Sequence, residues 1–118
     1  MAIIRISDLH LRTVIGTNSW ERDIKQDLII NIAIDFDSTP AAKTDKIKDT
    51  LDYKKVTKKI IHYVEHSKFF LLETLTEKIL DLIMQDKKVF LATVRIDKPQ
   101  ALRFAKSVSI ESHRNRML

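Results

Sequence analysis

The sequence predicts an α+β domain in the order β-β-α-α-β-β, on three observations. Apolar residues alternate with a period of two from Ile3 to Ile15 and from Leu28 to Phe36, fall three and four apart between Asp52 and Gln85, and alternate again from Val89. Helices grouped between two pairs of strands make one antiparallel sheet with two helices on one face, rather than alternating parallel units.

The first strand, "IIRISDLHLRTVI" from Ile3 to Ile15, slips phase at Ser7-Asp8, which is how a β-bulge reads in sequence. Gly16, the only glycine, gives the following turn its backbone freedom. "DLIINIAIDFD" then sets Leu28, Ile30, Ile32, Ile34 and Phe36 on one side, with Ile29, Asn31, Ala33 and Asp35 on the other. These two strands pair as a long hairpin. "STPAAKTDKIKDTLDY" holds no sustained period, and Pro40 suits the start of one short helical turn. A helix is predicted from about Asp52 to His66, with Val56, Ile60, Tyr63 and Val64 as its apolar stripe. A second runs from about Leu71 to Gln85, with Leu72, Leu75, Ile79, Leu82 and Ile83 facing inward. "VFLATVRID", carrying Ala92, Val94 and Ile96 in one phase, and "SVSIES" close the sheet, and "HRNRML" reads as a frayed tail. Four strands leave two open edges and a partly apolar reverse face, which other copies of the chain are expected to cover.

Composition sets the outer limits. At 118 residues the chain is read as one domain, 1–118. It contains no run of eighteen apolar residues and no leader pattern, so a soluble cytoplasmic protein with no membrane partner is expected. The absence of cysteine excludes disulfides, thiolate metal sites and a thiol nucleophile. The net charge of +5 does not make a nucleic-acid surface, because the lysines are interspersed with acids. Lys54, Lys55, Lys58 and Lys59 have the spacing of a solvated helix face, which leaves a nucleic-acid module as a distant rival. His62 and His66 stand four apart like a zinc pair, but no third ligand follows at a useful spacing, so no metal is expected.

Taken together and in order, "VIGTNSWERDIKQDLIINI", "AAKTDKIKDTLDY", "LLETLTEKIL" and "IDKPQALRFAKSVSIE" resemble the dihydroneopterin aldolase family over nearly the whole chain. "LRTVIG", "DYKKVTKKIIHYVEHSKFFLLE" and "RIDKPQALRFAKSVSI" look closest to its dihydroneopterin triphosphate 2'-epimerase branch, whereas "WERDIKQ" looks more like the aldolases. The resemblance implies the tunnelling fold, in which subunits join sheets edge to edge into barrels, commonly as an octamer of two stacked rings with active sites between subunits. It implies a pterin substrate, turned over by C2' epimerisation or by aldolase cleavage. A non-catalytic pterin-binding protein on the same fold is the alternative from another class.

Residue by residue, Glu73 in "LLETL" matches the family's pterin anchor; a carboxylate accepts two parallel N–H donors in a fork. Lys98 in "DKP" matches the catalytic lysine, and Tyr53 in "LDY" the catalytic tyrosine, reaching the substrate from a neighbouring subunit. Glu21 matches the glutamate that contacts the hydroxylated substrate tail, with Trp20 beside it as a packing or interface residue. Gln26 and Asp45 match positions that support the loops, and Leu51 and Leu72 match lining of the flat pterin pocket. Arg12, Arg103 and Lys106 serve equally as phosphate ligands or as surface residues. No cofactor is implied: the N5=C6 imine of a reduced pterin accepts electrons when C1'–C2' breaks, as a lysine Schiff base does in other aldolases.

Overall fold

Two long strands, β1 (Ala2–Ile15) and β2 (Gln26–Phe36), pair antiparallel from Ala2 opposite Phe36 to Thr13 opposite Gln26 in the computed structural model, which describes residues 1–116. The register shifts between Ile6 and Leu9, where the phase slip predicts a bulge. Asp8 takes a left-handed φ of 53° there, a conformation that aspartate tolerates. Its N–H donates to Asn31 Oδ1 at 2.9 Å and Asn31 Nδ2 donates back to Asp8 Oδ1 at 3.3 Å, so side chains replace the interrupted ladder.

A short helix, α1 (Thr39–Thr44), starts with Pro40 in its first turn and stops at Asp45, whose φ is 57°. Helix α2 (Tyr53–Glu65) is capped by Asp52, whose carboxylate accepts the Lys55 N–H at 3.2 Å. Next comes β3 (Lys68–Phe69), a two-residue strand parallel to Val14–Ile15 of β1, too short to leave a periodic signal. Helix α3 (Leu72–Met84) follows, then β4 (Val89–Pro99) and β5 (Ser107–Asn115). The sheet order is β3-β1-β2-β4-β5, antiparallel except at β3. No helix among the described residues is long and apolar enough to cross a membrane.

The core lies between the sheet and α2 and α3. Leu28, Ile30, Ile32, Ile34 and Phe36 of β2 meet Ala92, Val94 and Ile96 of β4 and Val56, Ile60 and Val64 of α2, all buried. Each such aliphatic side chain stabilises the fold by roughly 1.5–3 kcal/mol. Tyr63 is half-buried and lies against Phe69, with ring centroids 6.3 Å apart. On α3 the buried set is Leu75, Thr76, Ile79, Leu80 and Ile83, so Leu80 takes the inward place expected of Leu82, which stays half-buried. The reason is that α3 packs against β4, β5 and α2 at once and needs a wider apolar face than one stripe. Thr76 satisfies its hydroxyl on the Leu72 carbonyl at 2.8 Å.

The expected frayed tail is corrected as far as residue 116. His113, Arg114 and Asn115 belong to β5, and Arg114 bonds Glu77 and Asp81 of α3. Arg116 donates to the Met84 and Asp86 carbonyls at 2.8 and 3.1 Å and to the Val89 carbonyl at 2.8 Å. It thereby caps the C-terminal end of α3, where unpaired carbonyls and the helix dipole favour a cation. Met117 and Leu118 lie outside the described residues.

Candidate active site

The turn between β1 and β2 is built around one buried carboxylate. Residues Ser19–Arg22 form a 3-10 turn that folds Glu21 back over Gly16, leaving it 3% exposed. Glu21 Oε1 accepts the Asn18 N–H at 3.0 Å, and Oε2 accepts Gln26 Nε2 at 2.9 Å. Lys98, near the end of β4 and in phase with buried Ile96, brings its Nζ to 2.5 Å from the same Oε2. Gly16 has φ +133°, and a Cβ built on it would fall on the Glu21 carboxylate. The only glycine thus meets two demands: a backbone angle that L side chains rarely adopt, and room for a buried acid.

Burial acts to raise the Glu21 pKa. The bonds from Lys98, Gln26 and Asn18, with the Lys98 charge, outweigh it and hold the carboxyl at about 2. The pair is therefore an ionised carboxylate with an ammonium fixed against it, and the ammonium side chain is 14% exposed.

Lys98 and Glu21 open onto a cleft of about 300 Å³. Its opposite wall is the segment Phe70–Glu73, which joins β3 to the first turn of α3. Glu73 borders the cleft there, beside N–H groups of a helix N-terminus that favour a carboxylate. Leu72 supplies an apolar surface, Trp20 stands 59% exposed at the mouth, and Gln100 and Ala101 of the β4–β5 turn close the end. A larger hollow of about 430 Å³ lies on the reverse face of the sheet, among Arg5, Asp35, Arg95 and Glu111. It is a concave sheet surface, far less suited to a small planar ligand than the cleft with its opposed walls.

The structure brings Glu21, Glu73, Leu72 and Lys98 to one cleft, though Glu21 and Lys98 stand 77 positions apart. Tyr53 is 52% exposed at the start of α2 and does not line the cleft of its own chain. Leu51, expected to line the pocket, is 0% exposed within the core of its own chain and does not border this cleft. Gln26 does more than support a loop, since its amide bridges Glu21 and the Ile15 carbonyl at 2.8 Å. Asp45 ends α1 in its left-handed conformation. His66 Nδ1 lies 2.7 Å from the His62 carbonyl oxygen, so the pair is tied to its own helix.

The cationic candidates are spread out. Arg12 is engaged by Asp27 at 3.2 Å and by the Lys25 carbonyl at 3.1 Å, and Arg103 stacks on exposed Phe104. Lys106 borders a separate hollow with Asp8 and Asp97. Arg22 bonds the carbonyls of Gly16, after β1, and of Lys68 and Phe69 in β3.

A family model described as dihydroneopterin aldolase (FolB) matches residues 4–113. A dihydroneopterin triphosphate 2'-epimerase of Pseudomonas aeruginosa is 48% identical over 110 residues, spanning 93% of this chain and 89% of that protein. A dihydroneopterin aldolase of Escherichia coli is 30% identical over 110 residues, spanning 93% and 90%. The crystal structure of the Escherichia coli dihydroneopterin aldolase in complex with neopterin superposes with a TM-score of 0.92 at 30% identity, covering 98% of this chain and all of that one. The turn carboxylate, the strand-end lysine and the glutamate at the head of α3 thus sit in a chain that belongs to the dihydroneopterin aldolase family.

Proposed function

We propose that the protein inverts C2' of 7,8-dihydroneopterin triphosphate, giving dihydromonapterin triphosphate, by breaking and remaking the C1'–C2' bond. The observation that carries the chemistry is the Lys98 ammonium held 2.5 Å from buried, ionised Glu21 in the same cleft as Glu73. The choice of branch is supported by 48% identity to an epimerase against 30% to an aldolase.

Glu73 accepts the ring N3–H and 2-amino hydrogens in a fork, and Leu72 supports the flat ring. Glu21 and Lys98 meet the hydroxylated tail. The Lys98 ammonium gives a proton towards N5 and, as the resulting amine, takes up the C2' hydroxyl proton by way of Tyr53, while the C1'–C2' electron pair moves into a C6=C1' double bond. The C2' fragment becomes an aldehyde. Re-addition to its other face returns the N5 proton, reforms the bond and completes the inversion. The protein positions groups and moves protons, and the ring supplies the electron sink.

Tyr53 lies away from its own cleft, which supports its service to the cleft of an adjacent subunit. Among the described residues β5 has a neighbour on one side alone, and β1 beyond Val14–Ile15 likewise. These edges and the concave reverse face fit the tunnelling fold, assembled as a cytoplasmic octamer of two rings.

Chromatography of the products from dihydroneopterin and from its triphosphate tests the reading. The expected result is the C2' epimer of the triphosphate. Accumulation of 6-hydroxymethyldihydropterin and the aldehyde identifies an aldolase instead, and pterin binding without turnover of either substrate identifies a non-catalytic protein.

A further inference from the structure

Arg22 follows Glu21 in the chain but has no part in the chemistry above. Its guanidinium donates from Nη2 to the Lys68 carbonyl at 2.9 Å, and from Nη1 to the Phe69 and Gly16 carbonyls at 3.1 and 3.3 Å. It also lies 4.0 Å from the centroid of the Phe70 ring, within reach of a cation–π contact. Gly16 belongs to the wall that carries Glu21 and Lys98. Phe70 begins the wall that ends in Leu72 and Glu73. Besides Arg22, the two are joined by the two-residue pairing of β3 with Val14–Ile15, by the Gly16 N–H bond to the Phe69 carbonyl at 3.3 Å and, upstream, by the buried Thr13 hydroxyl on the Ser67 carbonyl at 2.9 Å. Among the described residues nothing but Arg22 reaches both Gly16 and Phe70 with a side chain.

We propose that Arg22 is a positioning residue that sets the separation between the ring-binding wall and the proton-transfer wall. The inference rests on the reading under Proposed function. A ring anchored at Glu73 must deliver its C2' hydroxyl to Lys98, and a misplacement of about 1 Å between such groups costs on the order of 100-fold in rate. Three carbonyls and a ring face are matched by a planar fork of N–H donors. A lysine ammonium presents a point charge that cannot span them.

The test uses Arg22→Ala and Arg22→Lys in the full-length protein. Steady-state kinetics with dihydroneopterin triphosphate is set beside calorimetric affinity for a pterin lacking the side chain, which touches the Glu73 wall alone. Both variants are expected to lose tenfold or more in kcat while binding the tail-less pterin within twofold of wild type. Free guanidinium, at a concentration that leaves the fold intact, is expected to restore part of the kcat of Arg22→Ala; a fold merely weakened by the substitution gains nothing from a denaturant cation. Retention of kcat within twofold overturns the proposal. So does a loss of tail-less pterin affinity in step with kcat, or an alanine variant that guanidinium leaves unchanged.

If Arg22→Ala does not fold, Arg22→Lys carries the test. If the wild type turns over neither substrate, the functional reading falls and binding decides the wall-spacing role. Arg22→Lys must then weaken neopterin, which spans both walls, and spare the tail-less pterin; equal effects on the two overturn it.

Discussion

Replacing Gly16 with alanine separates backbone strain from the space that Glu21 needs. A non-glycine residue at φ +133° costs about 1–3 kcal/mol. In the wild-type background the new Cβ also displaces the Glu21 carboxylate from its bonds with the Asn18 N–H and the Gln26 amide. Bonds to a charged acceptor contribute about 1.5–3 kcal/mol each, so the displacement adds about 3–6 kcal/mol. The Lys98 pair is left out of this sum because the ammonium reaches cleft water. In a Glu21→Ala background the carboxylate is gone and the backbone cost alone remains. Urea unfolding of the four proteins closes a double-mutant cycle, with an expected coupling of about 3 kcal/mol or more. If Gly16→Ala costs the same in both backgrounds to within about 0.5 kcal/mol, the carboxylate is not seated against Gly16 and the account of the turn is wrong.

Glu73→Ala should cost several kcal/mol of pterin affinity, on the order expected when both acceptors of a buried donor pair vanish, whereas Lys98→Ala should keep affinity and lose most of kcat; calorimetry and kinetics on the same samples test both. Acid should expose Glu21. Its folded-state pKa of about 2 lies below the ordinary 4.5, so its contribution to stability is complete above about pH 4.5 and is lost as pH falls towards 2. Urea midpoints of wild type and Glu21→Gln should therefore converge across that window, and parallel curves would refute the assignment. Mixed Tyr53→Phe and Glu73→Ala subunits, each inactive alone, should recover activity once mass spectrometry shows exchange; no recovery would place each site within one chain.

Elements whose partners lie on their own repeat were legible from the residues. The slip at Ser7-Asp8 announced the bulge, and five alternating side chains from Leu28 to Phe36 announced the buried face of β2. What could not be read depends on partners far along the chain. Arg114 and Arg116 look like solvated tail residues until α3 supplies the acids and carbonyls they meet. Leu80 and Leu82 are equally apolar, and tertiary packing alone decides which turns inward. Within the cleft, Glu21 and Lys98 are legible through family resemblance alone, because nothing in local spacing joins residues 77 apart. Arg22 carries no such signal, since its partners are backbone carbonyls, which every sequence has.

The position of Trp20 has an optical consequence. It is the only tryptophan, and it stands at the mouth of the cleft rather than in the core. Indole emission therefore reports on the cleft and not on the packing between sheet and helices. A bound aromatic ring should quench it or accept its energy, giving a titration signal without any label. The same placement means that loss of the bound ring's quenching on heating marks local opening of the Gly16–Gln26 turn, and can precede the loss of helix seen by far-ultraviolet dichroism.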